Sequence, residues 1–158
     1  MKLLVVLGEG GHTKQMLRLV DLLGPGYSYH YVVAEGDTLS AGGLPHPGPV
    51  HRLPRPRAKV GGRTARPWTA AWQTLRATWR AFRVVRHVRP DAVVGAGPSI
   101  SVPVSLAGKL WGARVIHVES ASRIHRLSLT GRLLYPWADL FFVQWEGLQA
   151  RYPKAIYA

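Results

Sequence analysis

The 158-residue chain contains no cysteine, so neither a disulfide framework nor a thiolate metal site can be built from it. It also lacks an Asp-x-Asp pair that could hold a divalent cation, because Asp21, Asp37, Asp91 and Asp139 all stand alone. No stretch approaches the roughly twenty apolar residues that a membrane-spanning helix requires. Met1-Lys2 and the run 3–7 look like the start of a signal peptide, but the run stops at Gly8 and no small-residue cleavage site follows. The chain is therefore expected to be soluble or to lie on a membrane surface. Acidic residues are scarce: 8 Asp and Glu face 21 Lys and Arg, a net charge of +13. Such an excess attracts phosphates, whether of nucleic acid, anionic lipid or a phosphorylated substrate. No nucleic-acid-reading motif accompanies it.

What is present reads as one globular α/β domain over residues 1–158. Apolar residues make up 47% and charged residues 18%, the balance of a packed rather than a disordered chain. Short apolar runs at 2–7, 29–34, 50–53, 91–94, 114–118 and 138–143 read as buried strands, the last closing the series. Helical periodicity marks 12–23, 68–88 and 102–111, while proline and glycine make 36–67 mostly loop. Strands alternating with helices predict a mostly parallel, doubly wound, Rossmann-like sheet.

Ligands of such sheets sit at the carboxyl ends of the strands. Three polar or glycine-rich stretches fall there: Gly8-Glu9-Gly10-Gly11-His12-Thr13, Gly95-Ala96-Gly97-Pro98-Ser99, and Glu119-Ser120. The first is neither a dinucleotide fingerprint nor a P-loop, since Thr13 stands where the former needs glycine and Gly-Lys-Ser/Thr is missing. Its glycines would still bring backbone amides close to a phosphate at a helix amino terminus. A tight turn with Thr13 or His12 as a cap is the alternative. His12 is the histidine directly behind a glycine loop, and its imidazole suits a general base. Gly95, Gly97, Pro98 and Ser99 offer a second amide cradle, or a close-packed turn.

The predicted helix 68–88 carries Trp68, Trp72, Leu75, Trp79 and Phe82 on one stripe, flanked by Arg76, Arg80 and Arg83. Ala70, Ala77, Ala81, Val84 and Val88 lie nearly opposite and suffice to pack on the sheet. The bulky stripe then reads as a membrane-surface face, with tryptophans at headgroup level and arginines on anionic lipid. The other reading puts the tryptophans in the core.

Taken together, the chain resembles the anchor subunit of the eukaryotic enzyme that adds the second N-acetylglucosamine to dolichol-diphosphate-linked N-acetylglucosamine. Bacterial exopolysaccharide and capsule glycosyltransferase subunits are similar. The resemblance rests on Gly8-x-Gly10-Gly11-His12-Thr13 with Met16-Leu17, Asp37 with Ser40, Pro54-Arg55-x-Arg57, Pro90-Asp91, Gly97-Pro98, Pro103 and Glu119-Ser120-x-x-Arg123. Its most specific parts are Leu127-Ser128-Leu129-Thr130-Gly131-x-Leu133-Leu134-Tyr135-Pro136 and Ala138-Asp139-x-Phe141-x-Val143-Gln144-Trp145-Glu146.

The resemblance implies the amino-terminal, acceptor-side half of a GT-B glycosyltransferase, with the donor-binding half on a separate partner subunit. In the fused relative of cell-wall lipid synthesis, the acceptor lies against the glycine loops of the first domain. The implied reaction is inverting transfer from a UDP-sugar to a lipid-diphosphate-linked saccharide, with no cofactor and no metal, and the chain inactive alone. His12 would be the base, and Glu119 a second base or an orienting group. Gly8, Gly10, Gly11, Thr13, Gly95, Gly97, Pro98, Ser99, Ser120 and Arg123 would bind substrate and phosphate. The family's spanning anchor has no counterpart before Lys2, and Val60-Gly61-Gly62-Arg63 departs from the family's Val-Gly-Gln-Ser. The second departure leaves that loop's role open, while the missing anchor, the arginine-rich composition and the short chain suggest a bacterial polysaccharide pathway, with peripheral attachment to the cytoplasmic face of the inner membrane through Trp68, Trp72, Arg76, Trp79, Arg80 and Arg83. The alternatives are a non-catalytic subunit that recruits the donor-binding partner and, more remotely, a basic nucleic-acid-binding protein.

Overall fold

The computed structural model describes the chain except at residues 9–10, 38–39, 41, 56–58, 61–62 and 65–66, and gives only the backbone at 59, 60, 63, 64, 67 and 70. Its centre is a seven-stranded, wholly parallel sheet. The strands are β1 (Lys2–Val6), β2 (Ser28–Ala34), β3 (Val50–Leu53), β6 (Ala92–Gly95), β7 (Arg114–Val118), β8 (Leu140–Val143) and β9 (Ile156–Tyr157), in the order β3-β2-β1-β6-β7-β8-β9. Register is set by pairs such as Val6 with Val32, Val6 with Gly95, and Gly95 with His117. Between β3 and β6 lies a two-stranded antiparallel pair, β4 (Lys59–Val60) and β5 (Arg63–Thr64). The expected loop over 36–67 thus contains a small hairpin, for which Gly61-Gly62 between two short runs was an available signal.

The central strands β1 and β6 are apolar on both faces because helices cover both. On one face Leu3, Val5, Leu7, Tyr29 and Tyr31 pack with Met16 and Val20 of α1 (Gly11–Leu23). On the other, Leu4, Val6 and Val93 meet Ala81 and Val85 of α2 (Pro67–Val88) and Val104 and Ala107 of α3 (Ser101–Leu110). Each such side chain taken from water contributes about 1.5–3 kcal/mol. Pro103 sits in the first turn of α3, where its missing N–H costs nothing. Arg89 ends α2 with φ of 49°, and Pro90 prevents continuation.

The carboxyl-terminal third holds two short helices absent from the periodicity reading, α4 (Leu129–Leu134) and α5 (Glu146–Arg151). They close a third cluster, in which Leu127 and Leu148 pack on Phe141 and Val143. The strand expected at 138–143 begins at Leu140, and β9 follows it as the edge strand. Ala138 and Asp139 stay outside because the Asp139 carboxylate accepts Val115 N–H at 2.8 Å and the Lys109 ammonium at 2.6 Å.

Candidate active site

The loops after β1 and β6 meet at the carboxyl rim of the sheet. A Cβ on Gly8 would lie 3.0 Å from His12 Cβ and 3.3 Å from Pro98, so the two loops are in direct contact there. Gly97 has φ of +75°, and a Cβ on it would fall 2.7 Å from His12 Cε1 and 2.9 Å from Nδ1. The imidazole therefore rests against the Gly97 backbone, and any side chain at 97 would displace it as well as strain the chain. His12 Nδ1 is sealed from solvent with no hydrogen-bond partner among the described residues. A proton on Nδ1 leaves Nε2 free to accept another. Gly11 opens α1 beside this ring, and Gly10 lies outside the described residues.

Thr13 takes a different place from the expected phosphate ligand. It is buried, and its hydroxyl donates to the Gly8 carbonyl. The Ser40 hydroxyl also donates to Gly8 O at 2.9 Å, and Ser40 N–H donates to Asp37 Oδ1 at 3.0 Å. Thr13, Asp37 and Ser40 thus lash the first glycine loop to the loop after β2. Gly95 ends β6, and a Cβ there would meet Ser101 Oγ at 3.0 Å. Ser99 is exposed at the rim, and Ile100 caps α3 without a side-chain hydrogen bond.

Glu119 does not take part as the sequence suggested. It is 0% exposed, and its carboxylate bonds to other groups than His12. Oε1 accepts Ser120 N–H at 3.0 Å, while Oε2 accepts Ser128 N–H at 2.9 Å and the Ser128 hydroxyl at 3.1 Å. Ser128 is the N-cap of α4, and its Oγ accepts Gly131 N–H at 2.9 Å. In a capping box a glutamate three residues into the helix would bond the cap's own N–H. Here Glu119 supplies that carboxylate from the end of β7, and Gly131 occupies the usual glutamate position. A Cβ on Gly131 would lie 2.1 Å from Glu119 Oε2. The two halves of the motif are one device that anchors the 119–128 loop. Ser120 is buried within it, its hydroxyl 3.0 Å from that of Ser122, and Arg123 is exposed on its rim.

A glycine-walled histidine on a parallel sheet could serve many chemistries, so comparison with known proteins decides the family. The profile described as "Oligosaccharide biosynthesis protein Alg14 like" matches residues 3–158. The chain belongs to the Alg14 family. It is 35% identical to the UDP-N-acetylglucosamine transferase subunit ALG14 of Rattus norvegicus, over 98% of this chain and 80% of that one. Among solved structures it superposes on Acinetobacter baumannii MurG with a TM-score of 0.68 and 22% identity, over 90% of this chain and 40% of that one. Methanocaldococcus jannaschii UDP-GlcNAc 2-epimerase gives 0.73 and 18%, over 99% of this chain and 45% of that one. The chain thus has the fold of a single Rossmann-like domain and spans less than half the length of those two proteins.

Elsewhere on the family's scaffold, α2 turns its small face inward, burying Ala77, Ala81, Val85 and Val88. Val84 is only half-buried, and Val85 takes the central place expected of it. Trp68 is 85% exposed, Trp72 67%, Leu75 61% and Trp79 57%, so the tryptophans are not core. Phe82 leaves the stripe: it is half-buried and meets the Trp111 ring edge-on at 5.2 Å. Arg83 lies 4.8 Å from the Trp79 ring, Arg80 pairs with Glu35, and Arg76 is exposed. No helix among the described residues is long and apolar enough to cross a membrane.

Two features went unread in the sequence. On the α1 face, Ile116, Val118, Leu140 and Phe142 join Leu19 and Leu22 in an almost wholly apolar trough of about 760 Å³. The other is His117, which faces α3 on β7 and is 1% exposed. Both its ring nitrogens lack partners among the described residues. Burial pushes its pKa down to about 4, with the nearby His12 as a lesser cause. Below the ordinary histidine value of about 6.5 the unfolded chain binds a proton that the folded chain refuses. Stability should fall by about 3 kcal/mol as pH drops from about 6.5 to about 4, then level off. Thermal melts of wild type and His117→Phe between pH 4 and 7 check this: the variant should lose most of that slope.

Proposed function

We propose that this chain is the acceptor-binding, membrane-associating subunit of a two-subunit inverting glycosyltransferase. It would act with a donor-binding partner to transfer a sugar from UDP-N-acetylglucosamine, or a similar UDP-sugar, to a lipid-diphosphate-linked saccharide at the cytoplasmic face of a membrane. The observation that carries the reading is His12, held against Gly97 between two glycine-rich strand ends, in a chain whose relatives are named as subunits of a UDP-N-acetylglucosamine transferase.

In the proposed step an acceptor hydroxyl attacks the anomeric carbon. The bond from that carbon to the UDP oxygen breaks, and UDP leaves with the electron pair. His12 Nε2 takes the hydroxyl proton. Diphosphate charge is met by the amides of the glycine loops and the amino termini of α1 and α3, which need no reorganisation during the reaction. Glu119 fixes the loop that forms one wall and transfers no proton. The subunit reading gains support from the trough beside α1, an apolar face that a lone chain would leave in water. The membrane reading gains support from the stripe on α2. Four large apolar side chains left exposed forgo about 1.5–3 kcal/mol each, which an apolar covering would restore. Purified chain alone should give no transfer from UDP-N-acetylglucosamine to a lipid-diphosphate acceptor, and addition of a donor-binding partner should restore it. Robust turnover by the chain alone would refute the two-subunit reading.

A further inference from the structure

Where α2 ends, the surface changes from aromatic to cationic. A pocket of about 820 Å³ opens there, lined by Arg80, Arg83, Arg86, His87 and Arg89 of the helix end and by His51 of β3. Among the described residues no carboxylate lines it. Glu35 neutralises Arg80, but Arg83, Arg86 and Arg89 have no ion-pair partner among the described residues. Behind them the His30 and His51 rings stack 5.6 Å apart, with Nδ1 of one 3.3 Å from Nε2 of the other. Burial is the main cause holding both below the usual histidine range. Lys2 and His87 add to it at His30, and His30 and His87 at His51. The other charges nearby are already engaged: Lys2 Nζ donates to Val88 O at 2.6 Å, and Asp91 accepts Lys2 N–H at 2.6 Å.

Cations at a helix carboxyl terminus can be explained by its partial negative charge, which favours one or two of them. Three arginines without an ion-pair partner exceed that need, and their mutual repulsion is unrelieved among the described residues. A phosphate would relieve it. The pocket also has a fixed position relative to the exposed stripe. At about 100° per residue, Trp68, Trp72, Leu75, Trp79 and Arg86 fall within a sector of about 60°. Arg83 lies over the Trp79 ring and joins the two regions. A surface that receives the tryptophans therefore presents its headgroups to the arginines.

We propose that this pocket seats the phosphate of an anionic phospholipid headgroup while Trp68, Trp72 and Trp79 enter the bilayer interface beside it. The proposal rests on the membrane reading of α2 and adds to it a defined headgroup site. Each basic residue at an anionic surface is worth a factor of about five in affinity. Arg86→Gln with Arg89→Gln should therefore weaken binding to vesicles containing phosphatidylglycerol by about 25-fold. Binding to phosphatidylcholine vesicles should change little.

The test is vesicle co-sedimentation with both lipid compositions, beside thermal melts to verify folding. Arg126→Gln with Arg132→Gln, the same charge change at exposed sites elsewhere, is the control and should weaken binding about twofold at most. Equal losses in both double variants would mean a diffuse field and overturn the pocket while leaving the membrane reading intact. Trp72→Ala with Trp79→Ala should weaken binding to both compositions. If that variant binds both like wild type, or wild type binds neither, the membrane reading fails and the headgroup site with it. Inorganic phosphate separates the remaining source. Followed by NMR of the His51 and His87 rings, it should bind only at millimolar concentration. Saturation at micromolar phosphate would make this a site for a soluble phosphate and overturn the lipid assignment.

Discussion

Replacing His12 by Ala should lower turnover of the reconstituted pair by about 10²–10⁴-fold, the range expected for loss of a general base. Stability and partner association should barely change, because the imidazole is held at the open rim and packs mainly on the Gly97 backbone. Were His12 only a cap on α1, the variant would lose up to about 2 kcal/mol of stability and keep its rate per folded molecule. Weaker acceptor binding with unchanged turnover at saturation would instead make His12 a ligand for the diphosphate. Rate measured against acceptor concentration, for wild type and variant, separates the three. An unchanged curve would remove His12 from the mechanism.

Glu119→Ala should act on the fold, not on the chemistry. The carboxylate, itself fully buried, satisfies two backbone N–H groups and the Ser128 hydroxyl. Each buried donor left unmatched costs about 1–3 kcal/mol, so losing the partner of the two backbone N–H groups alone costs about 2–6 kcal/mol, much of the margin of an ordinary domain. The melting temperature should drop by about 10–20 °C, and α4 with its loop should lose protection from hydrogen exchange. Glu119→Gln keeps one acceptor oxygen and should be milder, with a rate per folded molecule within a few-fold of wild type. A hundredfold fall in rate with an unchanged melt in Glu119→Gln would restore the carboxylate as a proton carrier.

These two residues also mark where the sequence could and could not be read. The β1–α1–β2 and β6–α3–β7 units were legible because β1 and β6 are short apolar runs ending in glycine and each helix keeps its period for ten residues or more. The rim was legible for the same reason, since glycines at strand ends place His12 and Gly97 on one side of the sheet. By contrast α4 and α5 are six residues each, too short to show a period, and α4 is capped by Glu119, nine residues before Ser128. Local spacing shows Ser128 and Gly131 but not the distant carboxylate that completes the cap. Glu119 therefore looked like a free acid near the site. His117 was one histidine of seven, and only the pairing of β6 with β7 shows that it is buried beside Gly95. The trough escaped notice because apolar residues on both faces of β7 and β8 suggest helices on both sides, and along β8 only one side is covered.

The central claim is that this domain holds the acceptor and leaves the donor to its partner. Titration calorimetry of the isolated chain tests it most directly, using a short-chain lipid-diphosphate N-acetylglucosamine and, separately, UDP-N-acetylglucosamine. The account predicts saturable binding of the lipid-diphosphate sugar without the partner, weakened by Gly97→Ala, which would push the His12 ring aside. UDP-N-acetylglucosamine should bind at least about 100-fold more weakly, a difference of about 2.7 kcal/mol. Tight binding of UDP-N-acetylglucosamine with no detectable binding of the lipid-diphosphate sugar would contradict it.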